Sequence, residues 1–391
     1  MKAFIIILIL LICPLANYDS YGQPVCDAPE VIHYLGNTGK YAKQNRKFTG
    51  IPSMAIASNG RMWATWYAGT TPGEDKNNYV VVSTSADGGN SWEEVLYIDP
   101  DGEGPLRSFD PQVWIAPDHS LWVFCAVGQG STEDFIDTWF IKTNDPKDKN
   151  AVWSAPRFCA KGVMMGKPTV LSSGEWLFPV SNFTLAHDRR SEPMFDNSAR
   201  TYISRDQGAT FGLLGVCNLP VKARTFDEHM LVERKNGSLW LLSRTTYGIG
   251  ESVSTDRGKT WSELQPSKIM HTSSRFFITR LASGNLLLVK NGPVDVLTDR
   301  SHLMAFLSLD DGLTWSRGLL LDQGGNVSYP DGQQTPDGRI HIIYDCNRII
   351  DQLILTTHFT EADILDPHHD AAMIRVHNNR KVVSKGGISK Q

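Results

Sequence analysis

Two arginines, a glutamate and a tyrosine stand out in this chain by type and by place. Glu228 opens an apolar run, Asp227-Glu228-His229-Met230-Leu231-Val232, and Arg244 closes the next one, Leu239-Trp240-Leu241-Leu242-Ser243. The two therefore flank one hairpin near the same end. Arg300 precedes Ser301-His302-Leu303-Met304. Tyr329 lies in Asn326-Val327-Ser328-Tyr329-Pro330-Asp331, ahead of Tyr344-Asp345. A planar guanidinium grips a carboxylate through paired charge-assisted bonds. A phenol is a poor nucleophile at its ordinary pKa and needs an adjacent base. More charged residues follow the same theme: Arg107 and Asp110 in Leu106-Arg107-Ser108-Phe109-Asp110-Pro111, Lys167 before Pro168, and Arg275 in Ser274-Arg275-Phe276-Phe277. Together they point to an anionic ligand. Taken singly, each has a plainer reading. Charged side chains mostly face solvent, a lone tyrosine usually packs, and His229 reads as a satisfied strand histidine.

Residues this far apart meet only if the fold is repetitive. Six copies of a polar turn lead straight into apolar strands: Asn59-Gly60-Arg61, Asp118-His119-Ser120, Ser173-Gly174-Glu175, Asn236-Gly237-Ser238, Ser283-Gly284-Asn285 and Asp337-Gly338-Arg339. Their spacing of roughly 47 to 63 residues is that of a radial repeat. A second motif, Ser-x-Asp-x-Gly-x-Thr-Trp, runs in phase at Ser85–Trp92, Ser204–Phe211, Ser254–Trp261 and Ser308–Trp315. Its Asp accepts backbone N–H bonds across a turn, its Gly takes positive φ and its aromatic anchors the turn. These aspartates read as structural rather than catalytic. The expected fold is all-β: a six-bladed propeller with a short C-terminal helix and tail. In a propeller the innermost strands line an axial channel, so polar residues at their ends converge.

The ordered set Glu228, Arg244, Arg300 and Tyr329 on this repeat resembles the sialidase (neuraminidase) family of six-bladed propellers, over nearly the whole mature chain. The resemblance implies that Tyr329 is the nucleophile and Glu228 the carboxylate that activates it. It implies that Arg244 and Arg300 clamp the sugar carboxylate, and that Asp345 stands where the family often has the second member of a Tyr-Glu pair. A neutral tyrosine suits such a site, because a carboxylate nucleophile would be repelled by the sugar acid. The chain also departs from the pattern. The family's first clamp arginine stands in Arg-Ile-Pro; here the triplet is Gly50-Ile51-Pro52, with Arg46 and Lys47 as nearby stand-ins. The acid/base aspartate belongs to a loop that reads Ala68-Gly69-Thr70-Thr71-Pro72-Gly73-Glu74-Asp75-Lys76, which makes Glu74 or Asp75 the candidate, with Glu74 preferred.

The remaining sequence sets the context. Lys2, the apolar stretch Ile5 to Cys13 and the small residues before Gln23 read as a signal peptide over residues 1–22. The apolar stretch is too short for a stable membrane span, and Ile12 is a poor residue before a lipidated cysteine. A secreted or periplasmic protein is expected, with the propeller over 23–366 and a polar tail over 367–391, disordered beyond about His377. A net charge of −4 offers no broad basic face for nucleic acid. The cysteines form no disulfide framework and no zinc motif. His368-His369-Asp370 reads as solvated, so no metal and no cofactor is implied. Thr360-Glu361-Ala362-Asp363 resembles a capping box. The expected partner is a glycan or oligosaccharide, anionic in character. The leading expectation is an exo-glycosidase releasing a terminal acidic sugar with retention. The alternatives on the same fold are a hydrolase or lyase of uronic-acid-containing polysaccharide, and a non-catalytic carbohydrate-binding propeller.

Overall fold

A computed structural model describes residues 24–34, 36, 38–129, 136–182 and 199–387. The signal-peptide expectation for residues 1–22 lies outside the described residues. The rest builds six antiparallel sheets in chain order, one per blade. The innermost strands are Phe48–Ile56, Leu106–Ile115, Thr169–Val170, His229–Glu233, Phe277–Arg280 and Val327–Gln334. Each pairs with the strand that follows it. Blade 1 alone has five strands, because Glu30–His33 adds to its outer edge.

The polar-turn repeat makes the first hairpin of every blade with the same pair of bonds. In blade 1 the Ala57 N–H donates to the Arg61 carbonyl, and the Gly60 N–H donates back to the Ala57 carbonyl, both at 2.8 Å. The pair recurs at Ala116, Leu171, Arg234, Leu281 and Thr335. The turn needs positive φ, which glycine supplies in five copies; His119 takes it at 66° in the sixth. The Ser-x-Asp motif is equally uniform. Asp256 accepts from the Ser254 hydroxyl (2.8 Å), the Thr260 amide (2.9 Å) and the Thr260 hydroxyl (2.6 Å). Asp87, Asp206 and Asp310 accept the equivalent bonds. These carboxylates are consumed by their own turns, as the sequence reading expected.

The motif's glycine also packs a blade against its neighbour. Gly312 has φ of 95°, and a Cβ there would lie 2.6 Å from the Trp240 ring, which is buried. Gly312→Ala is therefore expected to destabilise the protein by about 1–3 kcal/mol, read as a lower denaturation midpoint.

The ring closes without strand exchange, by side-chain and backbone bonds between blades 6 and 1. Asp331 accepts the Met54 N–H at 2.9 Å, Asp345 the Ile51 N–H at 2.8 Å, and Gln333 the Ile56 N–H at 2.9 Å. After blade 6's third strand, Thr360 and Asp363 form the expected capping box of helix Glu361–Leu365. The chain beyond His377 differs from the sequence expectation. Helix His369–Asn378 buries Ala372 and Val376, and Lys381–Lys385 returns as the outer strand of blade 6, paired with Leu353–Phe359. Lys381 and Lys385 bracket Val382 and Val383 there, and the strand edge of blade 6 supplies the backbone partners that a free tail would lack. No disulfide joins the described cysteines; Cys125 is buried as a small apolar residue. No described helix is long and apolar enough to cross a membrane, and no described group of side chains has the makings of a metal site.

Candidate active site

Three innermost strands carry the same irregularity. Ile51-Pro52, Asp110-Pro111 and Tyr329-Pro330 each set two residues against one on the paired strand. The residues before proline have φ of 58°, 47° and 52°. Positive φ crowds a side chain's Cβ, and a following proline restricts the residue further, so each site stores about 1–3 kcal/mol of strain. Such bulges re-aim a side chain. Here they alter the course of three inner strands around the axis.

The Tyr329 hydroxyl donates to Glu228 Oε1 at 3.0 Å and accepts from Arg244 Nη1 at 2.9 Å. Arg244 Nη1 also lies 3.1 Å from Glu228 Oε2, and Arg244 Nε donates to the Ser273 hydroxyl at 3.2 Å. All three side chains are buried. Burial, then the Glu228 carboxylate, pushes the phenol up to about 12, against the pull of Arg244, Arg348 and Arg300. Tyr329 is thus a neutral phenol at ordinary pH, with a proton acceptor already in hydrogen-bond reach.

Three more guanidiniums surround its ring. Arg348 Cζ lies 4.2 Å from the ring centre, Arg275 5.2 Å and Arg300 5.4 Å. Arg300 donates to the Ser273 carbonyl at 3.2 Å, so Ser273 anchors both Arg244 and Arg300. Arg348 is held by Asp345 (Nε to Oδ2, 2.8 Å) and by the Ser328 hydroxyl (3.1 Å). Between Arg300 and Arg348 opens a cavity of about 250 Å³, lined also by Asn326, Ser328, Asn347 and Ile350.

Residues 60–342 match the family of BNR repeat-like domains. The chain belongs to that family. Its propeller is of the sialidase type, as solved structures show. The intramolecular trans-sialidase of Ruminococcus gnavus superposes with a TM-score of 0.63 at 14% identity, covering 82% of this chain and 96% of that one. The NanB sialidase of Streptococcus pneumoniae gives 0.62 at 13% identity, covering 85% and 71%. A protein of unknown function from Dyadobacter fermentans gives 0.61 at 16% identity, covering 83% and 94%. At these identities the likeness speaks for the fold. No curated protein sequence matches the chain.

The BNR propeller brings most of the sequence candidates to one mouth, in different capacities. Glu74 is half exposed, with Oε1 3.6 Å from Arg348 Nη1. Asp75 is committed to its own loop. It accepts from the Thr71 hydroxyl (2.7 Å) and from the Asn77 amide and side chain (2.8 and 2.9 Å). Burial raises its pKa, but these bonds outweigh burial and hold it below the usual range. Arg107 stacks on Phe109 at 3.9 Å and donates to Asn78 at 3.2 Å, bracing that same loop.

Three candidates do other work than the sequence reading gave them. Asp345 is fully buried, and its oxygens are taken by Ile51 N, Arg348 Nε and the Ser328 hydroxyl, so it positions Arg348 rather than meeting a ligand. Arg275 is spent on carbonyls: Met165 at 3.2 Å, Pro52 and Tyr329 at 3.0 Å, and Pro330 at 3.3 Å. Lys167 is at the other end of the axis. It pairs with Asp331 at 2.9 Å and faces a cavity of about 520 Å³ lined by the far ends of the inner strands, including Trp114, Glu233, Arg280 and Gln334. The stand-ins for the missing arginine do not enter either. Arg46 is buried against Glu94, with two bonds of 2.8 Å, and Lys47 is exposed. His229 is satisfied by the neighbouring third blade, through the Arg200 carbonyl at 2.9 Å and Ser181 at 3.0 Å.

Sequence reasoning missed Arg348. It sits in an irregular turn after Asp345-Cys346-Asn347, where no periodicity marks a direction. The one signal was Gly50: a volume vacated beside the axis is filled from elsewhere.

Asp110 supplies a pH prediction. It is buried, and its Oδ1 has no partner among the described residues. Burial, then Glu74 and Glu228, pushes it from 3.8 to about 8, against Arg107 and Arg275. The folded state therefore favours the neutral acid. That stabilisation is complete below pH 4 and is lost as pH rises through 8. Asp110→Asn cannot ionise, so its melting temperature relative to the parent is expected to climb steadily between pH 4 and 8. Parallel melting curves across that range would remove the assignment.

Proposed function

We propose that this BNR propeller is an exported glycosidase of the exo-α-sialidase type, releasing a terminal acidic sugar with retention of configuration. The observation that carries this reading is the Tyr329–Glu228–Arg244 constellation, with the phenol bonded to a carboxylate at 3.0 Å and to a guanidinium at 2.9 Å. Tyr329 attacks the anomeric carbon while Glu228 takes its proton, since a phenol this basic reacts only as it loses that proton. Arg244 and Arg300 hold the sugar carboxylate by charge-assisted bonds. Glu74 protonates the departing oxygen; of the two loop carboxyls it is the one that reaches the Tyr329 cluster, and Asp75 is engaged with Thr71 and Asn77. Water then releases the sugar from Tyr329, with the loop acid acting in reverse. Export follows from the leader-like first residues, and no cofactor takes part in these steps.

The uronate-directed reading rests on the missing first clamp arginine and on the extra basic residues; of the latter, Lys167 and Arg275 are bound to protein groups. The test is incubation with sialyllactose beside a panel of acidic oligosaccharides. The proposal expects a free acidic sugar whose first-formed anomer matches the substrate. Unsaturated uronate seen by ultraviolet absorbance would establish the lyase instead. Binding without any product at any pH would establish a lectin.

A further inference from the structure

We infer that Arg348 is a third anion-binding guanidinium of this mouth, brought in from blade 6 through space that Gly50 leaves open, and that the ligand is selected by its carboxylate. The inference deepens the proposed function and rests on its reading that an acidic sugar binds over Tyr329.

The first observation is steric. A Cβ on Gly50 would lie 2.6 Å from Arg348 Cδ and 2.7 Å from its Cγ. The contact falls on the middle of the arginine, so the side chain cannot yield by swinging its tip. Any residue other than glycine at 50 excludes Arg348 from its place. Gly50 and Arg348 are thus one device, although they lie at opposite ends of the propeller's sequence.

The second observation is how the arginine is fixed. Asp345 Oδ2 accepts both the Ile51 N–H and Arg348 Nε, each at 2.8 Å. The Thr49 N–H donates to the Arg348 carbonyl at 3.0 Å. The strand around Gly50 and the arginine are therefore pinned to each other. Nε and Nη2 are committed to Asp345 and Ser328, which leaves Nη1 facing outward. It lies 3.6 Å from Glu74 Oε1, beyond hydrogen-bond length. The side chain is 14% exposed, enough for a ligand to reach it.

The third observation is charge. Glu228 partners Arg244 and Asp345 partners Arg348, whereas Arg300 has no carboxylate within ion-pair distance among the described residues. Counting Glu74 beside Arg348 as well, the mouth still holds more guanidiniums (Arg244, Arg275, Arg300 and Arg348) than carboxylates (Glu228, Glu74 and Asp345) around a neutral phenol. A carboxylate beside Tyr329 would complete it, held by Arg244 and Arg300 and by the Nη1 edge of Arg348. Glu74 would then be released from Arg348 as the ligand takes over that edge.

The experiment titrates the full-length protein with N-acetylneuraminic acid and glucuronic acid, and with the methyl ester of each, by calorimetry. One acid should bind, with its ester roughly a hundredfold weaker, the scale of removing one side of a desolvated charge pair. Arg348→Ala should weaken the acid by a similar factor. Gly50→Ala, which adds one methyl and changes no charge, should weaken it comparably. The double variant should bind no worse than Arg348→Ala, because Gly50→Ala acts through the arginine. Melting curves check that each variant folds, and Gly50→Ala keeps the test open should Arg348→Ala fail to do so. Equal affinity for acid and ester overturns the inference, as do parent-like affinity in Arg348→Ala, additive losses in the double variant, or no binding of either acid. Acid binding that depends on Arg348 with no sugar released from any glycoside would instead sink the hydrolysis and leave this inference standing.

Discussion

Tyr329→Phe is expected to cut release of the acidic sugar by roughly a thousandfold or more while leaving the melting temperature nearly unchanged. The substitution removes one oxygen, which holds two bonds, to Glu228 and from Arg244. Those two groups stay 3.1 Å apart, so neither charge is stranded by the loss. The ring keeps its place among Arg275, Arg300 and Arg348. What disappears is the attacking atom, and Glu228, the carboxylate that was bonded to it, would face an anionic sugar. Kinetics on the substrate found in the product screen, together with a melting curve, decide the matter. Parent-like turnover in a folded variant would remove Tyr329 from the reaction and assign the nucleophile to another group. A low rate in an unfolded variant would show instead that the hydroxyl is structural.

Arg275→Met is expected to cost about 3–5 kcal/mol of folding stability, the largest loss from a single substitution anticipated near this site. Arg275 is 1% exposed and bonds four carbonyls from three different blades. Three of those carbonyls belong to the strained segments at Pro52 and Tyr329-Pro330. Methionine keeps much of the length and none of the donors, so the carbonyls would be left buried and unpaired. The bulges would also lose the tie that holds them in positive φ. Urea unfolding checks this. The midpoint should fall with little change in slope, since the surface exposed on unfolding is the same. A shift below 1 kcal/mol would show that the bulges hold themselves.

Much of the architecture is legible in the sequence because each blade announces itself locally. The turn at Asn236-Gly237-Ser238 and the Ser-x-Asp motif at Ser254–Trp261 need only their own residues to satisfy their bonds. Six such turns in order, four of them followed in phase by the Ser-x-Asp motif, leave few arrangements besides a closed ring. The strand Lys381–Lys385 was illegible for the opposite reason. It has a polar, basic sequence and becomes a strand only because the edge of Leu353–Phe359 is there to pair with it. The candidate site divides in the same way. Glu228, Arg244, Arg300 and Tyr329 sit at or beside strand ends, where the repeat fixes which way the chain runs. Lys167 and Arg275 look like their equals in sequence, yet one lies at the far mouth and the other is spent on backbone carbonyls.

The amino-acid order alone determined a six-fold ring of strands, turns that satisfy themselves, and a tyrosine, a glutamate and two arginines arriving at one end of it. Only the folded chain decided which basic groups face the mouth. That choice depends on side-chain volumes and on carbonyls from blades hundreds of residues apart. Gly50 lets Arg348 through, Asp345 fixes it there, and Arg275 is captured by the axis. Hydrogen bonds within a turn are set by neighbours along the chain, whereas occupancy of a shared space at the hub is set by every blade at once.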